Sequence, residues 1–242
     1  MSDANGSAEL SKPIIDKDSP IVISLGGSLV APAAGPDAQF VQQFVNIIGE
    51  RQIAGARFYI IVGGGKVCRH YQDALKSLGK SDDELDYMGI YATHFNAHFV
   101  ALAFGLDPEH KVVLKSENLT GKEVLHVTGA GLKPGQSSDA AAITTAVAVG
   151  ASIVYNLSNV SHVYSADPDR ESDARPYDHL DWSKYLELIP SEWNPGLSSP
   201  FDPIASRAAD EHGIEVRVLG SNLENFAAAL AGKNFTGTTI SN

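Results

Sequence analysis

The sequence predicts an α/β fold, a three-layer αβα sandwich with a mainly parallel central sheet. Two observations lead to this fold class. Short apolar runs rich in β-branched residues recur along the chain, and helical patterns lie between them. Glycine clusters at 26–27 and 63–65 directly follow two of these runs, as expected where a strand turns into a helix in a β–α unit.

The predicted elements alternate along the chain. We expect strands at 21–25, 58–62, 111–114, 124–128, 152–156 and 215–219. We expect helices near 37–50, 66–78, 84–104, 137–149, 201–212 and 223–231. The closing stretch 237–240 is interpreted as an edge strand. The proline-rich segment 170–200 predicts short helices and loops beside a ligand site, where they could act as a lid.

Length and composition indicate one large globular domain. The chain has 242 residues, of which 43% are apolar and 19% charged. We expect a single domain over 20–242, preceded by a disordered extension, 1–19, that lacks the apolar core of a signal peptide.

Charge and cysteine content exclude several function classes. The net charge is −11 and there is no run of Lys or Arg, so we do not expect a nucleic-acid partner. No stretch approaches the ~20 apolar residues of a membrane span, so no membrane partner is expected either. A single cysteine, Cys68, rules out a disulfide framework within the chain and favours the cytoplasm.

Two glycine clusters are candidate anion sites. Gly26-Gly27-Ser28 alone is more simply explained as a tight turn. The cluster 63–65 is a stronger signal because Arg69 lies about one helical turn further on and can reach the same anion. A strand, glycines and a helix start together place free backbone N–H groups at one point. Two such points can hold two phosphorylated ligands end to end.

The polar residues of the predicted helix 84–104 can be interpreted in more than one way. Asp86 near a predicted helix start is either an N-cap or a ribose ligand. Asn96 within the same helix is interpreted as a satisfied core or interface group. His94 and His98 lie four residues apart without a further ligand, so we expect no metal site and favour a structural pair or subunit contact.

The chain resembles the amino acid kinase superfamily, and most closely its archaeal-type uridylate (UMP) kinase branch. The resemblance runs from about Ile21 to the C-terminus. Its most specific block is Asp86-x-Met88-Gly89-x2-Ala92-Thr93-x2-Asn96-Ala97. Further blocks are Pro134-Gly135-Gln136-Ser137-Ser138-Asp139-Ala140, Asp202-Pro203-x-Ala205 and Gly237-Thr238-Thr239-Ile240.

The resemblance implies a role for each matching residue. The phosphates in flight would be held by Gly26, Gly27 and Ser28. The acceptor UMP would be held by Gly64, Gly65, Arg69, Asp86 and Ser138. The donor ATP would be held by Ser158, Asn159, Tyr164 and Asp167. The resemblance also implies Mg²⁺ as cofactor, catalysis by positioning and charge neutralisation, and a homo-oligomer, specifically a hexamer.

Three departures from the family pattern bear on activity. Many members carry a lysine where this chain has Ser24, which removes a cation for the γ-phosphate. Arg170 is our candidate for replacing that charge in catalysis, with Lys133 as a second. The usual Asn-Val-Asp-Gly-Val-Tyr contains Ser161 and His162 in place of Asp-Gly. The usual Thr-Thr-Asp is Ser-Ser-Asp here, which retains both hydroxyls.

The leading hypothesis is an ATP-dependent UMP kinase that makes UDP in pyrimidine nucleotide biosynthesis. One alternative is another phosphotransferase of this fold, acting on an amino acid or carbamate. Asp86 and its helix argue against that alternative. A second alternative is a non-catalytic protein that binds a nucleotide or oxyanion, which the residues at 24, 161 and 162 keep open.

Overall fold

A computed structural model describes residues 19–113, 115–168, 170–192 and 199–242. The predicted extension 1–19 lies outside these ranges apart from Ser19, and so do Trp193 and Pro195 of the predicted lid segment. Among the described helices, none combines the length and apolar character needed to cross a membrane.

The described strands form one large sheet and one small one. In chain order they are β1 (Ile21–Leu25), β2 (Phe58–Val62), β3 (Leu125–Gly129), β4 (Ile153–Leu157), β5 (Val163–Tyr164), β6 (Pro176–Tyr177), β7 (His179–Leu180), β8 (Glu215–Leu219) and β9 (Thr238–Ile240). The large sheet has the order β3-β2-β1-β4-β8-β9-β7, and β5 pairs with β6. All pairs in the large sheet are parallel except β8 with β9.

Helices connect these strands. They are α1 (Gly27–Val30), α2 (Ala38–Ile53), α3 (Gly65–Ser77), α4 (Asp82–Ala103), α5 (Ser138–Val149), α6 (Trp182–Leu188), α7 (Pro203–Glu211) and α8 (Leu223–Leu230). Each lies within three residues of a predicted helix, except α1 and α6. The helix α1 is too short for a periodic pattern to reveal, and α6 is one of the short helices expected within 170–200.

The sheet is buried on both faces, as the continuous apolar runs predict. Successive residues of β1 alternate between two cores: Val22 packs with α5 and α7, whereas Ile23 packs with α2, α4 and α8. The first core contains the alanines of α5 and α7, and the second is centred on Phe44 and Phe226, whose rings stack 5.9 Å apart. The predicted αβα sandwich is confirmed.

The chain reverses its direction across the sheet at β1. From β1 it adds β2 and then β3 on one side, and it later returns to place β4 on the other side. Connections therefore leave the carboxyl ends of β1 and β4 towards opposite sides, which opens a crevice between them. Ligands of open α/β sheets bind in such crevices.

Two strand predictions were wrong. Residues 111–113 form only an isolated bridge, between Val113 and Gly129, and Leu114 lies outside the described ranges. The final strand is not an edge, because β9 lies between β8 and the two-residue strand β7. Such a short strand within the proline-rich segment carries too little pattern to be recognised.

Candidate functional site: two cavities joined at the glycine loops

A large cavity lies in the crevice at the carboxyl ends of β1, β2 and β4. Its volume is about 550 Å³. It is lined by the glycines 26–27 and 63–65, by the start of α5, and by the loops after β4. Each of the predicted phosphate-binding residues Gly26, Gly27 and Ser28 contributes to this lining.

The two glycine loops touch backbone to backbone. A Cβ atom on Gly27 would lie 2.2 Å from the Gly63 carbonyl oxygen and 2.3 Å from the Gly65 nitrogen. No real side chain tolerates such distances, so only glycine fits at this position. Gly65 also has a φ of +75°, in the left-handed region that favours glycine. The contact fixes the separation of the two predicted phosphate sites.

Two helices of substantial length begin at the cavity, α3 at Gly65 and α5 at Ser138. Gly64 precedes α3 and supplies no side-chain cap, which leaves backbone N–H groups of the first turn for a ligand. Ser137 caps α5 by accepting a hydrogen bond from the Ala140 N–H at 3.0 Å. The positive ends of both helix dipoles therefore favour an anion here.

Arg69 connects the two halves of the site. Its Nη2 donates to Ser28 Oγ at 2.9 Å, across the contact between the glycine loops. It lines the large cavity and also a smaller one of about 150 Å³. Among the described residues it is the single Lys or Arg that lines either of these two cavities. Both cavities share Gly64, Gly65 and Ser138 as well.

The small cavity contains Asp86, whose side chain is only 7% exposed. Its carboxylate accepts a hydrogen bond from the Gly135 N–H, which ties α4 to the loop before α5. Burial raises the pKa of Asp86, and the Gly135 N–H partly opposes that shift. The N-cap interpretation was wrong, since α4 is capped by Ser81 in a capping box with Glu84.

Two buried polar residues of α4 shape the site. The Asn96 amide donates to the carbonyl oxygens of Gly63 at 2.9 Å and Gly64 at 3.0 Å, and so holds the glycine loop. Asn96 is thus the satisfied core group that the sequence predicted. Thr93 was missed: its hydroxyl donates to the Ala130 carbonyl at 3.0 Å and accepts the Ala130 N–H at 2.9 Å. A hydroxyl in an apolar helix is a weak signal on its own.

A buried carboxylate network beneath the large cavity was also missed. Ser24 Oγ donates to Asp139 at 2.8 Å, and the Asp202 N–H donates to the same carboxylate at 3.3 Å. The Ser137 hydroxyl donates to Asp202. Burial, together with the nearby Asp202 carboxylate, raises the pKa of Asp139. Ser24 is therefore committed to Asp139 rather than to a ligand.

The predicted donor residues gather on the opposite wall of the large cavity. Ser158, Asn159, Tyr164 and Asp167 all line it. Arg170 is not among the lining residues. Its side chain is 84% exposed, and its guanidinium pairs with Asp167 at 3.2 Å. Lys133 is likewise absent from the lining.

The histidines of α4 do not form part of a metal cluster. His94 Nε2 lies 3.2 Å from the Gly131 carbonyl oxygen, a structural contact to the loop before α5. Across the described ranges, no group of three or more His, Cys, Asp or Glu side chains is placed to hold a metal ion.

Known proteins resemble this chain over most of its length. The family model described as the amino acid kinase family matches residues 19–220. A uridylate kinase of Halorubrum lacusprofundi is 34% identical over 226 residues, covering 91% of this chain and 92% of that protein. One from Methanocaldococcus jannaschii is 32% identical, covering 82% and 89%.

A solved structure agrees with these matches. The crystal structure of a uridylate kinase from Archaeoglobus fulgidus superimposes with a TM-score of 0.76 at 30% identity, covering 92% of this chain and all of that one. The resemblance to archaeal-type uridylate kinases is therefore confirmed along the chain. The chain belongs to the amino acid kinase family.

Proposed function

We propose that this chain transfers the γ-phosphoryl group of ATP to UMP and so makes UDP for pyrimidine nucleotide biosynthesis. The observation that carries the proposal is the pair of cavities that meet at Gly64, Gly65, Arg69 and Ser138. A large cavity suits the donor nucleotide and a small one suits the acceptor nucleoside. The relatives named uridylate kinase support this choice of acceptor.

The acceptor assignment follows from the small cavity. Asp86 offers a buried carboxylate that can accept hydrogen bonds from ribose hydroxyls. Arg69 and the N-terminus of α3 would hold the UMP phosphate where the two cavities meet. Ser138, at the start of α5, lines both cavities and would contact the same phosphate.

The donor assignment follows from the opposite wall. Ser158, Asn159, Tyr164 and Asp167 would hold the adenosine half of ATP. Gly26, Gly27 and Ser28 would hold the phosphates in flight through backbone N–H groups and a hydroxyl. The C-terminal part of the single domain 20–242 would thus bind the donor, and the N-terminal part the acceptor.

The reaction needs positioning more than acid–base chemistry. An oxygen of the UMP phosphate attacks the γ-phosphorus, and the bond to the oxygen bridging the β- and γ-phosphorus breaks, which releases ADP. The attacking phosphate is already ionised, so no side chain has to remove a proton. Arg69 and the helix N-termini neutralise the charge gathered between the two nucleotides.

The donor site fits Mg²⁺. The ion prefers one or two carboxylates together with substrate phosphates. Asp139 supplies a buried carboxylate in the cavity lining, and it has no Lys or Arg partner in the described structure. Asp139 would therefore hold Mg²⁺, which when bound neutralises charge on the ATP phosphates.

We also propose a cytoplasmic homo-oligomer, specifically a hexamer. Tyr87, Tyr91, Phe95 and Leu102 form an exposed apolar stripe along α4, with Phe95 74% exposed. Such a stripe favours contact with a second copy of the chain. Light scattering measures the assembly, and Phe95→Glu is expected to reduce its size, whereas Lys76→Glu on neighbouring α3 should leave it intact. An unchanged mass for Phe95→Glu would assign the contact elsewhere.

The function is tested by ADP release from ATP and Mg²⁺ with a panel of acceptors. The panel contains UMP, CMP, dUMP, AMP, acetylglutamate, aspartate and carbamate. Turnover confined to UMP, or far fastest with it, is the expected result. Turnover with an amino acid or carbamate would replace the acceptor assignment. Binding of ATP or UMP, detected as a raised Tm without turnover, would instead identify a non-catalytic binder.

A further inference from the structure

The loop between β4 and β5 carries a histidine that the roles above leave unused. His162 lines the large cavity on the donor wall, next to Tyr164 and Ser158. It is half-buried and stands at a position where the family resemblance leads us to expect glycine. The side chain therefore adds a polar ring to the cavity wall that this resemblance does not explain.

The backbone on both sides of His162 is anchored. Ser161 packs so closely against Gly220 that a Cβ there would lie 3.2 Å from Ser161 Cα. Val163 is buried, and its N–H donates to Thr238 Oγ1 at 2.8 Å. These contacts fix the loop to β8 and β9, so the ring leaves the backbone from a fixed point.

The ring itself is oriented by its neighbours. His162 Nδ1 lies 3.0 Å from Ser161 Oγ, which lies 3.4 Å from the Tyr164 hydroxyl. The imidazole packs edge-to-face on Tyr164, with centroids 5.9 Å apart. When Tyr164 donates to Ser161 and Ser161 donates to Nδ1, the ring hydrogen resides on Nε2. That Nε2 has no hydrogen-bond partner among the described residues.

Charge in the cavity favours an anionic ligand for this nitrogen. The donor polyphosphate brings several negative charges, and the cavity already contains the carboxylates of Asp139 and Asp167. Arg69 is shared with the acceptor cavity and bonded to Ser28. Ser24, at the end of β1, is occupied by Asp139. On the donor wall, the His162 ring offers Nε2–H as a hydrogen-bond donor to such an anion.

We propose that His162 binds the polyphosphate of the donor nucleotide, with Nε2–H donating to a phosphate oxygen. The inference rests on the proposed function for the identity of the donor. His162 then increases the affinity for a nucleoside triphosphate and leaves the affinity for the free nucleoside unchanged. Ser161 and Tyr164 act through the ring as positioning residues.

The test compares His162→Ala and His162→Gln with the wild type and with His212→Gln. His212 is exposed at the end of α7 and serves as the matched control. Kd is measured for ATP with Mg²⁺ by calorimetry, and for adenosine by competition, both without UMP. Loss of a charge-assisted hydrogen bond should weaken ATP binding to His162→Ala roughly tenfold. Adenosine affinity should change less than about twofold.

Glutamine keeps an N–H donor near the position of Nε2, so His162→Gln should recover part of the ATP affinity. Equal losses for ATP and adenosine, or no loss for ATP, would overturn the proposal. Unchanged Tm values establish that the variants are folded. Because binding is measured without an acceptor, a selective loss in ATP affinity supports this role of His162 even if the acceptor panel disproves UMP kinase activity.

Discussion

The acceptor side of the site is built on a long helix, whereas the donor side is built from loops. Asp86 and Thr93 are buried side chains of the 22-residue α4, and both are bonded to the loop that leads into α5. Asn159 and Asp167 on the donor side are exposed and belong to segments after β4. Asp86 and Thr93 are thus shielded from water, whereas Asn159 and Asp167 are open to it.

This difference agrees with where the chain departs from its family pattern. The acceptor residues match the uridylate kinase motif along α4, while Ser161 and His162 change the donor loop. A polar group that must pair inside a buried pocket discriminates strongly between ligands, because an unpaired buried group is costly. An exposed loop tolerates substitution. We therefore expect truncation of a side chain on the acceptor side to reduce activity more than truncation of one on the donor side.

The largest effect should come from Arg69, where the two sides meet. Arg69→Ala removes the single Lys or Arg that lines the two cavities of the site in the described structure. It should lower kcat/KM for UMP by about a hundredfold or more. Arg170→Ala is the matched control, since that guanidinium is exposed and outside the lining. Steady-state kinetics at varied UMP measures both. A large fall in kcat for Arg170→Ala would restore the catalytic role that the sequence suggested.

The second-largest effect should be confined to the kinetics with UMP. Asp86→Ala removes the buried carboxylate and leaves the Gly135 N–H without its partner, so KM for UMP should rise roughly thirtyfold. KM for ATP should stay within about twofold of the wild type. Asp83→Ala, a substitution of an exposed residue in the first turn of α4, is the control. If Asp86→Ala left UMP kinetics unchanged, the ribose assignment would fail.

A smaller effect is expected on the donor side. Asn159 is exposed, and the hydrogen bonds of exposed groups contribute little, so Asn159→Ala should raise KM for ATP only about twofold. The same kinetics at varied ATP check this value. An increase as large as that of Asp86→Ala for UMP would break the contrast between the two sides.

The smallest expected change is one of stability, measured on the protein without ligands. Because the pKa of Asp139 is raised in the folded protein, that state binds more protons than the unfolded chain above the ordinary Asp pKa of ~4. The contribution of Asp139 to wild-type stability therefore falls as pH rises through this interval. Asp139→Asn removes the titration, so its Tm relative to wild type should increase with pH, by about 3 °C between pH 4 and 8. A constant difference would contradict the raised pKa.

Local pattern explains which features could be predicted. The strands at 21–25, 58–62 and 215–219 were predicted with their observed bounds, since buried parallel strands are short apolar runs. The glycine turns followed from the same pattern. Asp86 lines the small cavity, and its acceptor role stays a prediction from resemblance. The N-cap interpretation was wrong because Ser81 and Glu84 precede it and form the cap.

The remaining features depend on contacts that join distant parts of the chain. The Ser24–Asp139 hydrogen bond spans 115 residues, and the Asp139–Asp202 contact spans 63. Neither contact produces a periodic pattern in the sequence from which it could be predicted. The position of β9 within the sheet likewise depends on its pairing with residues 179–180, a segment too short to be recognised as a strand.

The backbone contact between Gly27 and the loop 63–65 separates phosphoryl transfer from acceptor recognition. In the proposed function, the transfer geometry is set where two main chains meet, and the Asn96 amide of α4 holds the loop 63–65 in place. In the proposed function, acceptor recognition uses side chains of α3 and α4 that line the small cavity. Side chains that line the small cavity, such as Asp86 and Ile90, can therefore be changed to alter acceptor recognition while the glycine contact that sets the transfer geometry is retained.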